Sequence, residues 1–167
     1  MTFRASVVTV SDGVSAGSRA DSSGDLAEGL LTAAGFTMAE RTVVADDLDA
    51  IATLLETIAS SGVDLLVTTG GTGFGPRDVT PEATRRVIER EAPGLAELMR
   101  AAGLAHTPMA ALSRAIAGIK GTTLILNLPG SPKAVEENLR AVLPVLPHAL
   151  ETLAGRTEHG GTSAHTG

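Results

Sequence analysis

Residues 63–82 read Val-Asp-Leu-Leu-Val-Thr-Thr-Gly-Gly-Thr-Gly-Phe-Gly-Pro-Arg-Asp-Val-Thr-Pro-Glu. A short β-branched, apolar run, Val63 to Thr69, passes without a polar break into four glycines within six residues, Gly70, Gly71, Gly73 and Gly75. Such a run has the length and composition of a buried strand of a parallel sheet. Thr80-Pro81-Glu82 then reads as helix cap, first-turn proline and first-turn acid, and predicts a helix from Pro81 to about Glu91. Strand, glycine loop and helix in that order form the first half of a βαβ unit.

The same alternation extends in both directions. Ala5 to Val10 is a strand that ends in the polar segment Ser11 to Gly24, and a helical stripe from Asp25 carries Leu26, Leu30, Leu31 and Ala34 up to Gly35. Arg41 to Ala45 is a second strand, closed by Asp46-Asp47, either of which can cap the helix whose stripe is Ile51, Leu54, Leu55 and Ile58. Beyond the glycine loop, Gly94 to Gly103 is helical and Met109 to Gly121 reads as a short helix or turn structure. Thr122 to Asn127 is the fourth strand, Ser131 and Pro132 open a helix that Pro144 ends or kinks, and a last helix runs to about Ala154. Strands separated by helices of this length predict a single α/β domain over residues 1–154, a three-layer α/β/α sandwich with a mostly parallel central sheet. Residues 155–167 have Ala164 as their one apolar side chain and read as a disordered tail.

Composition narrows the functions this domain can serve. Its 167 residues match roughly the 150 of one domain. Thirteen Lys and Arg against 19 Asp and Glu give −6, with no basic stripe, so duplex nucleic acid is a poor partner. Three Phe with no Trp or Tyr cannot build a base-stacking platform. The absence of Cys excludes disulfides, thiolate nucleophiles and Cys-built metal sites. The opening apolar run is too short for a signal-peptide core and Ala141 to Leu150 is too short to span a bilayer, so neither export nor a membrane helix is expected.

In sheets of this class ligands bind beyond the carboxyl ends of the strands. Four segments arrive there: Ser11-Asp12, Asp46-Asp47, the glycine loop with Arg77-Asp78, and Asn127-Leu128-Pro129-Gly130-Ser131-Pro132-Lys133. Glycines after a strand serve a tight turn as often as a phosphate cradle, but four together, Gly70 to Gly75, favour the cradle. Lys133 in the first turn of a helix is a second anion site and Arg77 offers a planar fork, although a solvated lysine is the ordinary role at such a position. Carboxylates at 12, 46 and 78 would repel a polyphosphate unless Mg²⁺ sat between them. The combination points to metal-assisted phosphoryl or nucleotidyl transfer. No Lys follows Gly75 as a Walker loop requires, and Pro76 breaks the dinucleotide pattern counted from Gly71. His106 and His148 lack partners at metal-ligand spacing, and His159 and His165 fall in the tail.

Thr69 to Ala83 together with Asn127 to Ala134 closely resemble the Mog/MoaB family of molybdenum-cofactor biosynthesis, and Val10-Ser11-Asp12, the Asp46 segment and Leu112-Ser113-Arg114 extend the resemblance over residues 4–154. The resemblance implies a molybdopterin adenylyltransferase, which joins AMP from Mg-ATP to the terminal phosphate of molybdopterin and releases pyrophosphate. It implies that Asp46 and Asp78 are the functional carboxylates and the Mg²⁺ ligands. It implies that Ser11, Asp12, Gly70, Gly71, Thr72, Gly73 and Arg77 belong to the nucleotide and pterin pocket, with Ser113, Pro129, Gly130, Ser131 and Lys133 as further contacts. It also implies a cytosolic trimer or hexamer of trimers, with a molybdenum insertase as partner, and the apolar Ala101 to Ile119 region is a suitable subunit face.

Overall fold

The computed structural model describes residues 2–156. Strands β1 (Arg4–Val10), β2 (Thr37–Val44), β3 (Leu65–Thr69), β4 (Arg90–Glu91), β5 (Ala117–Lys120) and β6 (Thr123–Leu128) form one sheet in the order β2-β1-β3-β6-β5-β4. The pairs β1–β2, β1–β3 and β3–β6 are parallel, whereas β5 runs antiparallel to both β6 and β4. The helices are α1 (Asp12–Ser15), α2 (Ser22–Ala33), α3 (Leu48–Ser60), α4 (Thr80–Val87), α5 (Pro93–Leu104), α6 (Pro132–Val142) and α7 (Leu146–Leu153), with a 3-10 turn at Pro108–Leu112.

Strand alternation sorts the core into two layers. Ala5, Val7, Leu65, Val67, Leu124 and Leu126 join Leu31 of α2, Met99 of α5 and Leu139 of α6 on one face. Val8, Val10, Leu66 and Ile125 join Ile51 and Leu55 of α3 and Val87 of α4 on the other. The expected three-layer sandwich is the observed one. Asn127, fully buried, stitches the second face: its Nδ2 donates to Thr68 Oγ1 at 3.1 Å and Thr84 Oγ1 at 2.9 Å.

Several expectations need correction. The helix after the glycine loop stops at Val87 rather than Glu91, because Ile88 turns extended at ψ 145° and Arg90–Glu91 pairs with β5. Pro93 begins the next helix and disfavours helical backbone at Ala92 before it. The stretch read as helix or turn contains β5, joined to β6 by the two-residue turn Gly121-Thr122 with Gly121 at φ +57°. The last helix ends in a capped turn that uses Gly155 at φ +68°, so the terminal segment is structured through Arg156, and residues 157–167 of the expected tail lie outside the described residues.

Helix α2 begins at Ser22, three residues earlier than the apolar stripe suggests, because Asp21 caps it. Asp21 Oδ1 accepts from Gly24 N at 3.0 Å, and Oδ2 accepts from Thr9 Oγ1 and from Arg41, each at 2.8 Å. Burial pushes the Asp21 carboxyl up, but the Arg41, Thr9 and Gly24 hydrogen bonds outweigh it and hold it below its ordinary value. A lowered folded-state value stabilises the fold above the carboxylate range, and that contribution is lost as the pH falls through it. Asp21→Asn keeps a capping oxygen and loses the charge, so it is expected to lower stability at pH 7 by about 1.5–3 kcal/mol. Urea titrations of both proteins from pH 7 to pH 3 should show the gap closing in acid; a gap independent of pH would refute the assignment.

Candidate active site

Two cavities open where β1, β3 and β6 end. The smaller, of about 210 Å³, is polar and is lined by Ser11, Arg19, Asp21 to Ser23, Asp46, Thr69 to Gly71, Asp78 and Gly130. The larger, of about 440 Å³, is lined by Gly71 to Gly73, Ser113 and Pro129 to Ser131, with Met99, Met109, Ala110 and Leu112 as an apolar wall. Gly71, Asp78 and Gly130 belong to both, so the cavities meet at the glycine loop.

The loop's path requires glycine. Gly70 and Gly71 take φ +91° and +68°. A Cβ at 70 would lie 2.3 Å from the Val10 carbonyl oxygen, and one at 71 would lie 2.2 Å from Thr80 Oγ1. Thr80 is not the cap of α4, which begins after Val79 without a side-chain cap. Instead its fully buried hydroxyl donates to the Gly70 carbonyl at 2.9 Å. The N–H of Gly70 donates to the Leu128 carbonyl and that of Gly75 to Asp78 Oδ2, whereas the N–H groups of Gly71, Thr72 and Gly73 have no acceptor among the described residues.

Arg114 secures the loop's far side. Its N–H donates to the Thr72 carbonyl at 2.8 Å, its Nε to the Gly73 carbonyl at 2.8 Å and its Nη2 to the Asp78 carbonyl at 2.6 Å, while Nη1 pairs with Glu82. One planar guanidinium therefore fixes the backbone on both sides of Gly75. The Arg114 guanidinium also lowers the Glu82 carboxyl below its usual range.

The carboxylates occupy distinct environments. Asp12 N donates to Asp46 Oδ2 at 2.9 Å and Asp46 N to Asp12 Oδ1 at 3.0 Å, a reciprocal pair that joins the ends of β1 and β2. Arg77 grips Asp12 through Nε at 2.6 Å and Nη2 at 3.0 Å, and this bond with the Asp46 N–H lowers the Asp12 carboxyl. Asp46 is pushed up, first by burial and then by repulsion from Asp12 and Asp78, against the opposing Asp12 amide. Asp47 caps α3 by accepting from Ala50 N at 2.8 Å, which divides the two neighbouring acids: one holds the helix, the other faces the cavity.

The smaller cavity gathers Ser11, Asp46, Gly70, Gly71 and Asp78, and the larger gathers Thr72, Gly73, Ser113, Pro129, Gly130 and Ser131. Asp12, Arg77 and Lys133 line neither cavity. Lys133 is 82% exposed and turns along its own helix toward Glu137 at 4.0 Å. Ser131 caps α6 as expected, accepting from Ala134 N at 3.3 Å. Thr80, Arg114, Arg19 and Thr69 were not among the expected site residues, although Arg114 stands inside the Leu112-Ser113-Arg114 motif. Met109 and Leu112, within the region read as a subunit face, form a wall of the larger cavity.

Arg114→Lys removes the fork that reaches two carbonyls at once. The expected cost is about 1–3 kcal/mol of unfolding free energy, accompanied by faster amide exchange confined to residues 71–79. Unchanged exchange there would show that the loop holds its path without Arg114.

Comparison with known proteins identifies the family. Residues 6–148 match the family model described as a probable molybdopterin binding domain. The chain is 42% identical over 160 residues to the molybdopterin adenylyltransferase of Helicobacter pylori strain J99, covering 92% of this chain and 89% of that protein. It is 43% identical over 144 residues to the molybdopterin adenylyltransferase of Escherichia coli K12, covering 84% and 74% respectively. Among solved structures, the molybdopterin biosynthesis enzyme MoaB of Thermus thermophilus superposes with a TM-score of 0.88 at 52% identity, over 92% of this chain and 98% of that one. By its sequence and its fold, the chain belongs to the molybdopterin-binding domain family of molybdenum-cofactor biosynthesis.

Proposed function

We propose that the protein is a molybdopterin adenylyltransferase, acting on molybdopterin and Mg-ATP. The observation that carries this reading is the pair of cavities that share Gly71, Asp78 and Gly130, because transfer between two substrates requires two sites with a common wall. The homologues named molybdopterin adenylyltransferase supply the identity of the group transferred. In the proposed reaction a terminal phosphate oxygen of molybdopterin attacks the α-phosphorus of ATP. A new P–O bond forms as the bond from the α-phosphorus to the bridging oxygen breaks, and pyrophosphate departs with that electron pair. The attacking oxygen is already anionic, so no covalent residue or histidine base is required, which suits a cavity that contains neither Cys nor His.

The donor set fits magnesium only as a phosphate complex. Among the described residues no group of three or more His, Asp or Glu is placed to hold a metal ion, and Mg²⁺ is ordinarily bound by one or two carboxylates with substrate phosphates and water. Asp46 and Asp78 would hold it, and the ion would neutralise charge developing on the phosphates. Asp46 makes no direct ion pair among the described residues, Arg77 acting on it only at longer range, and its carboxyl is raised, which suits a group that meets a bound cation. The remaining residues position. The N–H groups of Gly71 to Gly73 offer donors to an anion, and Arg114 holds the Asp78 backbone. The Met and Leu wall of the larger cavity suits a planar heterocycle. A cytosolic trimer, with a molybdenum insertase receiving the product, belongs to the same reading. The exposed Leu98 and Leu104 of α5, at 38% and 50% exposure, support a subunit face in this reading.

Purified protein supplied with molybdopterin and Mg-ATP should release pyrophosphate. Asp46→Ala and Asp78→Ala are each expected to lower that rate on the order of 10²–10³-fold with the circular-dichroism spectrum unchanged. Molybdopterin binding without pyrophosphate release by the wild type would leave a pterin carrier in place of a transferase.

A further inference from the structure

Gly71, Asp78 and Gly130 form the wall common to the two cavities, and they are not held alike. Thr80 N donates to the Gly71 carbonyl at 3.1 Å, and Arg114 Nη2 donates to that of Asp78. Gly130 lies on a separate segment, the short connection from β6 to α6. Leu128 is still paired in the sheet, and Ser131 uses its side chain to cap α6. Between these anchors Pro129 has no N–H to donate. Residues 129 and 130 make one hydrogen bond to the rest of the chain among the described residues: the Gly130 carbonyl accepts from Ser23 Oγ at 2.5 Å. Gly130 also packs on the turn after β3, where a Cβ at 130 would lie 3.4 Å from Gly70 Cα. No side chain separates the two backbones, so a displaced Gly130 alters the junction of the cavities.

Ser23 is a firm point from which to hold that wall. It is 8% exposed in the first turn of α2, and two strands pin this turn. Asp21, which caps the helix, accepts from Thr9 of β1 and from Arg41 of β2, each at 2.8 Å. Arg41 also pairs with Asp25 at 2.5 Å and Glu28 at 2.9 Å, both on α2. The sheet order puts β3 between β1 and β6. The Ser23 bond therefore joins elements on either side of the strand that carries the glycine loop. A serine hydroxyl has one proton to donate, and this one is given to Gly130, although Ser23 itself lines the smaller cavity.

We propose that Ser23 is a positioning residue: its hydroxyl sets where the Pro129-Gly130 wall stands and, through Gly130, how the two substrates line up. The position of the wall rests on the geometry alone, and its effect on turnover rests on the adenylyl-transfer reading. Reacting atoms must be held ~3–3.5 Å apart, and a misplacement of about 1 Å is enough to slow a reaction a hundredfold. Binding of either substrate alone makes no such demand.

Ser23→Ala removes the tether, and Ser23→Thr keeps the hydroxyl. In the ligand-free proteins the Gly130 carbonyl ¹³C resonance is expected to move upfield in Ser23→Ala and to stay near its wild-type position in Ser23→Thr. In Ser23→Ala, kcat for pyrophosphate release is expected to fall about tenfold to a hundredfold, while the Kd values of molybdopterin and of Mg-ATP, each titrated alone, stay within about twofold. Ser23→Thr is expected to restore kcat. A serine with only a structural role would lower the melting temperature and leave kcat per folded molecule unchanged, and that result overturns the proposal. So does a loss confined to one substrate's Kd, which would make Ser23 a ligand contact. An unmoved Gly130 resonance in Ser23→Ala, or a kcat that Ser23→Thr fails to restore despite a wild-type resonance, also overturns it. A wild type that releases no pyrophosphate would overturn adenylyl transfer, whereas the resonance shift in Ser23→Ala would still establish the tether.

Discussion

The rim of this protein depends on the chain turning at the end of β3 in contact with the end of β1. Gly70 passes so near the Val10 carbonyl that a Cβ would sit 2.3 Å from its oxygen, and only a residue tolerant of φ +91° can make the turn. The turn sends residues 71–78 across the top of the sheet instead of directly into α4. Thr80 returns from the start of α4 to hold the Gly70 carbonyl, and Leu128 of β6 holds its N–H. Three strand ends and one helix start are thereby locked about a single peptide. Arg114, contributed from beyond the 3-10 turn, then fixes the far side of the loop, so Asp78 is set by backbone contacts at both ends of its own segment.

Charge on this rim is distributed unevenly. Asp12 is satisfied by Arg77 and by an amide, and Asp21 by Arg41, Thr9 and an amide; both carboxyls titrate low and both favour the fold at neutral pH. Asp46 differs, since burial and two neighbouring acids raise it against the weaker pull of the Asp12 amide and the more distant Arg77, and it makes no direct ion pair among the described residues. The sign is opposite, so as the pH rises through its folded-state value the ionised group weighs against the folded state. A protein retains such a group where stability is subordinate to binding, and the natural complement is a cation that arrives with the substrate. The fold therefore treats Asp12 as structure and Asp46 as chemistry although the two exchange hydrogen bonds.

Much of this was legible in the sequence because it rests on local rules. The apolar runs at Ala5 to Val10 and Val63 to Thr69 are buried strands, and Ser131-Pro132 is a cap and first turn. The parts that were not legible depend on contacts distant along the chain. Arg90–Glu91 becomes a strand only because β5 lies beside it, and its helical pattern carries no sign of that partner. The opening of α2 is hidden by Ser22-Ser23-Gly24, which resembles a loop. Glycine stands there because the helix approaches Thr9 so closely that a Cβ would lie 2.6 Å from its hydroxyl. Asp46 and Asp47 are interchangeable as sequence. Only the capping bond to Ala50 separates them.

Lys133 and Arg19 show the limit of motif reading most clearly. Lys133 sits beside a helix N-terminus inside a long motif, the position from which a cation would be expected to serve an anion. Adjacency in sequence does not set direction, and the Lys133 ammonium lies 4.0 Å from Glu137, one turn along the same helix, outside both cavities. Arg19 lies in an unremarkable polar stretch, yet that stretch runs between α1 and the cap of α2 and makes Arg19 part of the cavity lining. Strand parity was the available clue. Thr9 and Thr69 stand two residues beyond core positions on the α2 face, where polar side chains on adjacent parallel strands have no core to pack against and depend on hydrogen bonds. The Thr69 hydroxyl is buried without a partner, whereas Thr9 finds Asp21, the cap of α2, and so ties the stretch that contains Arg19 to the end of β1.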